Sequence, residues 1–216
     1  MNKNKIFLIS AVVIAVVVFS LFAFLSKTEK TQEGQIAQTS IDPSLLIREH
    51  SPTKGPLDAK VTIVEFLDPE CEACRAMHPI MKTLLKEYDG KVRLVIRYMP
   101  FHGNSLLAAS ALEEAKELGK FDEALDKLFE RQPEWADHRY PKPDLIAVFL
   151  KEIGISEKQL DSNYLVTKHR GKVDIDQADG AKLGVRMTPT FFVNGEMLSQ
   201  IGYDPIKQAI EKALAK

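Results

Sequence analysis

Cysteine is nearly absent from this chain. Its 216 residues hold two, Cys71 and Cys74, too few and too close for a disulfide-stapled fold. A bridge closing so short a loop would restrict the unfolded chain little, so the pair points to redox chemistry or metal binding. An excess of one charge is also missing. Lys and Arg number 29 against 30 Asp and Glu, a formal net charge of −1. That argues against nucleic-acid binding, which calls for a basic surface, and no one-sign run marks an interaction tail. Repeats and low-complexity tracts are lacking as well.

One long uncharged run is present. Ile6 to Leu25 carries no charge, and at about 1.5 Å per residue its 20 residues match a bilayer core of roughly 30 Å. Lys3 and Lys5 precede it, as a cytoplasmic flank or signal n-region requires. A cleavable signal has a shorter apolar core and a small-x-small exit. Here the exit reads Leu21-Phe-Ala-Phe-Leu-Ser26, so an uncleaved anchor is the preferred reading and a removed signal the alternative. Either exports the rest of the chain. No cysteine lies near the run to accept a lipoprotein lipid. The expected organisation is a cytoplasmic stub over 1–5, an anchor over 6–25, a flexible tether over 26–50 and one globular domain over 51–216.

Within the domain, Val61-Thr-Ile-Val-Glu-Phe-Leu-Asp68 reads as a strand buried on both faces. Helical spacing runs from Cys71 to Tyr88, with Pro79 predicting a kink, and Val92 to Tyr98 is the next strand. Together they form a βαβ unit with parallel strands. Apolar stripes over 106–118, 121–129 and 145–153 predict helices, and a more polar one is expected around Val166 to Leu183. Thr190 to Val193, Asn194-Gly195 and Met197 to Ile201 predict a hairpin with a type I′ turn. Asp204-Pro205 opens a last helix, the acid as its cap. Trp135 reads as a loop residue. The histidines other than His78 carry no clear signal, although His102, after Met99-Pro-Phe101, could lie near the cysteines.

Cys71 stands where the first strand has ended and the helix begins. Unpaired N–H groups and the helix dipole there favour a thiolate. Cys74 lies one turn later, with Cα atoms about 5 Å apart, inside disulfide range. An exposed low-pKa thiol with a recessed partner suits exchange through a mixed disulfide. Glu70 and Glu72 oppose ionisation by roughly 0.6 kcal/mol each if exposed, while the helix end contributes about 0.3–2 kcal/mol in favour. The Cys71 pKa is therefore expected below the free value but not extreme. Glu65 shares its strand face with Val61, Ile63 and Leu67, so its carboxyl is expected to be partly buried, where it either exchanges protons with Cys74 or pairs with a Lys or Arg. The rival of another class is a copper or zinc module using Cys71, Cys74 and His78. Two cysteines alone do not complete a zinc site.

A C-x-x-C at a strand-to-helix junction, followed about 115 residues later by Thr188-Pro-Thr-Phe-Phe-Val-Asn194 with helices between, resembles the DsbA group of the thioredoxin superfamily, in particular its membrane-anchored BdbD type. Val-Glu-Phe-x-Asp, Phe-His-Gly and Lys-Leu-Phe-Glu-x-Gln-Pro match in order. The resemblance implies an α/β thioredoxin fold with a helical insertion at about 102–184. It implies Cys71 as attacking thiol, Cys74 as resolving thiol and Glu65 as buried acid. Pro189 would be a cis-proline facing the cysteines, and Thr188 the residue pairing with the substrate backbone. It also implies extracytoplasmic oxidation of cysteine pairs in exported proteins, with re-oxidation by a membrane quinone-linked thiol oxidase and no cofactor beyond the Cys71–Cys74 disulfide. A reductase or isomerase would use the same residues. Glu72-Ala73 departs from the Pro-led dipeptide of many members, which leaves the redox potential open. Some relatives bind calcium away from the cysteines; no ligands for it are assigned here.

Overall fold

The computed structural model describes residues 42–216; the expected anchor at 6–25 lies outside them. Among the described residues no helix is long and apolar enough to cross a membrane. The elements in chain order are α1 (Pro43–Leu46), β1 (Thr53–Lys54), β2 (Val61–Leu67), α2 (Glu72–Glu87), β3 (Val92–Tyr98), α3 (Ser105–Glu117), α4 (Phe121–Glu130), α5 (Gln132–Trp135), α6 (Asp144–Glu152), a 3₁₀ turn (Glu157–Leu160), α7 (Ser162–Lys182), β4 (Thr190–Val193), β5 (Glu196–Met197) and α8 (Tyr203–Leu214).

The five strands lie in the order β1-β3-β2-β4-β5. β2 and β3 are parallel, as a βαβ unit requires, and β4 runs antiparallel to β2. Strand residues alternate between the two faces. Ile63, Leu67, Leu94, Ile96 and Phe191 join the larger core, which α2, α8 and the helices between β3 and β4 cover. Val64, Phe66, Val95 and Phe192 join a smaller core with Leu46, Met99 and Val185, on the side where α1 and α7 pack together. α7 approaches so closely that a Cβ on Gly180 would stand 2.9 Å from the Met99 sulfur and 3.0 Å from the Phe66 ring. A side chain there would require Met99 and Phe66 to shift.

Several details differ from the sequence-based expectations. Residues 42–50, expected as tether, carry α1, and Arg48 and His50 bond to Asp179 and Asp176 of α7; these partners lie more than 120 residues away and leave no local signal. The hairpin turn has φ of +46° at Asn194 and +86° at Gly195, as type I′ demands, but β5 ends at Met197, although Leu198 still donates its backbone N–H to the Phe191 carbonyl at 2.9 Å. Trp135 is fully buried, its indole N–H donating to the Leu128 carbonyl at 2.9 Å. Gly202, not Asp204, caps α8.

Candidate active site

The turn from β2 into α2 builds the site. Cys71 is the N-cap of α2 with extended backbone, and no side chain caps the helix conventionally. The backbone N–H groups of Ala73 and Cys74 instead favour a charge on the Cys71 sulfur. Cys71 is 8% exposed, whereas Cys74, one turn deeper, is fully buried. Both are thiols. The Cys71 pKa falls from 9.0 to about 5. The largest cause is a hydrogen bond from Cys74; burial opposes it, while Thr188 and the backbone N–H groups of Cys74 and Ala73 add to the lowering. Cys74 moves strongly the other way, chiefly through burial and then through the hydrogen bond to Cys71 and the charges of Glu65 and Cys71. One thiol ionises and its neighbour keeps its proton. Thiolate absorbance at 240 nm is accordingly expected to titrate with a midpoint near pH 5 in the dithiol protein, and to vanish from that range in Cys71→Ser.

The opposing side of the site comes from the loop before β4. The Thr188–Pro189 peptide bond is cis, and the Thr188 carbonyl oxygen lies 3.3 Å from the Cys71 sulfur. Glu65 stands in β2 between Ile96 of β3 and Phe191 of β4. It is more buried than expected, at 4% exposure. Burial first, then the Cys71 charge, raises its pKa from 4.5 to about 8. Its side chain lines a cavity of about 40 Å³ with Leu67, His78, Met81 and Phe129, enough for a water. Among the described residues no Lys or Arg pairs with it, contrary to the second sequence reading. Cys71, Cys74 and His78 do not converge as a ligand set among the described residues. The His78 Nε2 instead lies 2.5 Å from Asp126 of α4. The metal-module reading thus has no geometric support.

Sequence reasoning missed the polar frame beneath the turn. Asp68, treated only as the end of a strand, is fully buried and accepts hydrogen bonds from the backbone of Glu70, Phe101 and His102, from Ser105 Oγ at 2.5 Å and from His102 Nδ1 at 2.7 Å. Glu70, expected to be exposed and opposing the thiolate, is buried and accepts from the backbone N–H and side-chain amide of Asn104. Gln132 of α5 donates to the Pro69 and Cys71 carbonyls at 2.9 and 3.0 Å. Apart from the local bond between Glu70 and Asp68, these contacts cross 33 or more residues.

A family model described as thioredoxin matches residues 48–212, about three quarters of the chain. The chain belongs to the thioredoxin family. This thioredoxin-family protein is 32% identical over 193 residues to disulfide bond formation protein D of Bacillus subtilis, covering 86% of this chain and 85% of that one. The crystal structure of oxidised BdbD from Bacillus subtilis superposes with a TM-score of 0.70 at 31% identity, over 77% of this chain and 94% of that one. A Na(+)/H(+) antiporter NhaA of Herminiimonas arsenicoxydans is 31% identical over 175 residues, which is 79% of this chain but 26% of the antiporter. The DsbA-like resemblance and the fold class stand on these matches, and the protein is a thiol–disulfide oxidoreductase.

Proposed function

We propose that this oxidoreductase works outside the cytoplasm, held to the membrane by residues 6–25, and introduces disulfides into exported proteins with reduced cysteine pairs. The observation that carries the oxidising direction is the low Cys71 pKa of about 5. A stabilised thiolate stabilises the dithiol form, and a stable dithiol form makes its disulfide a stronger oxidant. A client thiolate attacks Cys71 of the Cys71–Cys74 disulfide, and Cys74 leaves. A second client thiolate then attacks the client sulfur of the mixed disulfide, and Cys71 leaves as the anion. Two electrons and two protons pass from client to enzyme, and a membrane quinone-linked thiol oxidase removes them. Cys71 is the attacked and departing sulfur, Cys74 the resolving one. Thr188, cis to Pro189 and beside Cys71, offers its backbone to the client chain. A glutathione titration tests the direction: a potential of about −180 mV or higher fits an oxidant, and about −270 mV or lower fits a reductase.

Glu65 is the proton donor for Cys74. With its pKa raised to about 8, it is protonated at neutral pH. Glu65→Gln is expected to slow formation of the mixed disulfide at pH 7 by about 100-fold, the low end for general acid catalysis. It also removes the fall in wild-type rate as pH rises through 8. Stability offers a second readout. A carboxyl whose folded pKa lies above its unfolded value favours the folded state fully below about 4.5, and that advantage is lost as pH rises towards 8. Glu65→Gln should therefore gain stability relative to wild type between pH 5 and 8 in urea titrations.

A further inference from the structure

Between the two cysteines stand Glu72 and Ala73, so the active-site dipeptide supplies no cation to a Cys71 thiolate and places a carboxylate beside it. Two imidazoles from other elements stand around the turn. His102, in the loop between β3 and α3, has Nδ1 2.7 Å from Asp68 Oδ2. Asp68 is fully buried and held by four further donors, so the bond fixes the ring and leaves Nε2 for other partners. The ring itself is about a quarter exposed. Its centroid lies 5.6 Å from that of His138, and His138 Nε2 lies 2.8 Å from Glu72 Oε1. Asp68, His102, His138 and Glu72 thus form a chain that begins at the strand end before Cys71 and finishes at the residue after it.

We propose that His102, oriented by Asp68 and flanked by His138, supplies the positive charge that stabilises the Cys71 thiolate, so that the enzyme's oxidising strength rises as the imidazole protonates. The proposal rests on the exchange reading above and adds a charge-supplying residue to it. The charged and titratable groups facing the ring are Asp68, Glu70 and Cys71 from the turn, Glu72 from the first turn of α2, reached through His138, and His138 itself from the loop after α5. Burial pulls the His102 pKa down, but the hydrogen bond and charge of Asp68, with the charges of Cys71 and Glu70, carry it above 6.5. The imidazolium is favoured where the thiolate forms. When a client thiolate displaces Cys71 from the mixed disulfide, the negative charge develops beside this cation and Cys71 departs more readily. His138 contributes by engaging the Glu72 carboxylate.

The test uses the full chain as wild type, His102→Gln, His102→Lys and His138→Gln. Thiolate absorbance is titrated from pH 3 to 9, and the potential is measured against glutathione at pH 6 and 8. An opposite charge close by moves a pKa by one unit or more, so His102→Gln should lower the thiolate-to-thiol ratio at a given pH by about tenfold. Its potential at pH 6 should fall by about 30 mV, the tenfold equivalent for two electrons. His138→Gln should move both in the same direction by about twofold. His102→Lys keeps a cation and should restore the thiolate ratio to within about threefold of wild type while flattening the dependence on pH. The inference is overturned if His102→Gln stays within about twofold of wild type, or if His102→Lys matches His102→Gln, which would mark the ring as structural. Urea midpoints on the same proteins register any loss of fold separately. Wild type serves as the control for the underlying reading: failure to cycle between dithiol and disulfide sinks the exchange function itself, whereas cycling with an unmoved His102→Gln sinks only the role of His102.

Discussion

Cys74→Ser will accumulate covalent adducts between Cys71 and client proteins, while Cys71→Ser will form none and lose turnover by at least about a thousandfold, well within the accelerations enzymes achieve. The asymmetry follows from position. Cys71 keeps 8% of its surface exposed, has a thiol pKa lowered to about 5 and lies 3.3 Å from the Thr188 carbonyl. Cys74 is sealed beneath it with its proton favoured. In Cys74→Ser the Cys71 thiolate attacks a client disulfide, one client sulfur leaves, and the mixed disulfide persists because Cys74, which would attack Cys71 and expel the client, is gone. Non-reducing electrophoresis after acid quenching of cells reads the outcome directly. Adducts that form on Cys74 in the Cys71→Ser protein, or none in either, would defeat the assignment of roles.

Arg97→Met will cost about 3–5 kcal/mol of stability, because it strands buried carboxylates without their counter-charge. Arg97 is fully buried and donates to Asp176 Oδ1, Asp179 Oδ2 and the Leu45 carbonyl, each at 2.7 Å. Asp176 also accepts from the Tyr98 backbone, and Arg48 grips Asp179 through two bonds. The cluster ties α1 and β3 to α7. With a urea slope of about 2 kcal/mol/M, the midpoint should drop by about 1.5–2.5 M. Adding Asp176→Leu should recover part of the loss, since removing both charges leaves fewer unpaired ions. The pH dependence has the opposite sign to that of Glu65. Burial raises the Asp179 pKa, but Arg48 and Arg97 outweigh it and hold the carboxyl below 3.8. That stabilisation is present above the unfolded pKa and is lost as pH falls through the folded one, so the difference between wild type and Arg97→Met should narrow below about pH 4. A loss under 1 kcal/mol in urea would show the cluster to be incidental.

The reading from sequence succeeded where the signal is local. The apolar run Val61–Leu67, buried on both faces, the Asn194-Gly195 turn and a C-x-x-C placed just after a strand each depend on residues within a few positions. It failed where partners are distant. Glu70 looked like an exposed opponent of the thiolate because its acceptance of Asn104, 34 residues on, leaves no trace in the residues around it. Trp135 looked like a loop residue because its burial depends on helices packing around it, not on its own short helix.

By itself, then, the order of residues determined that two sulfurs one turn apart would sit at a helix mouth, since backbone geometry fixes that spacing wherever the helix forms. Only the tertiary structure decided what surrounds them. Packing brought the Thr188 carbonyl to Cys71, removed Glu65 from water and set Asp68 under His102, because charge and desolvation act through space, between atoms the chain connects only by long detours.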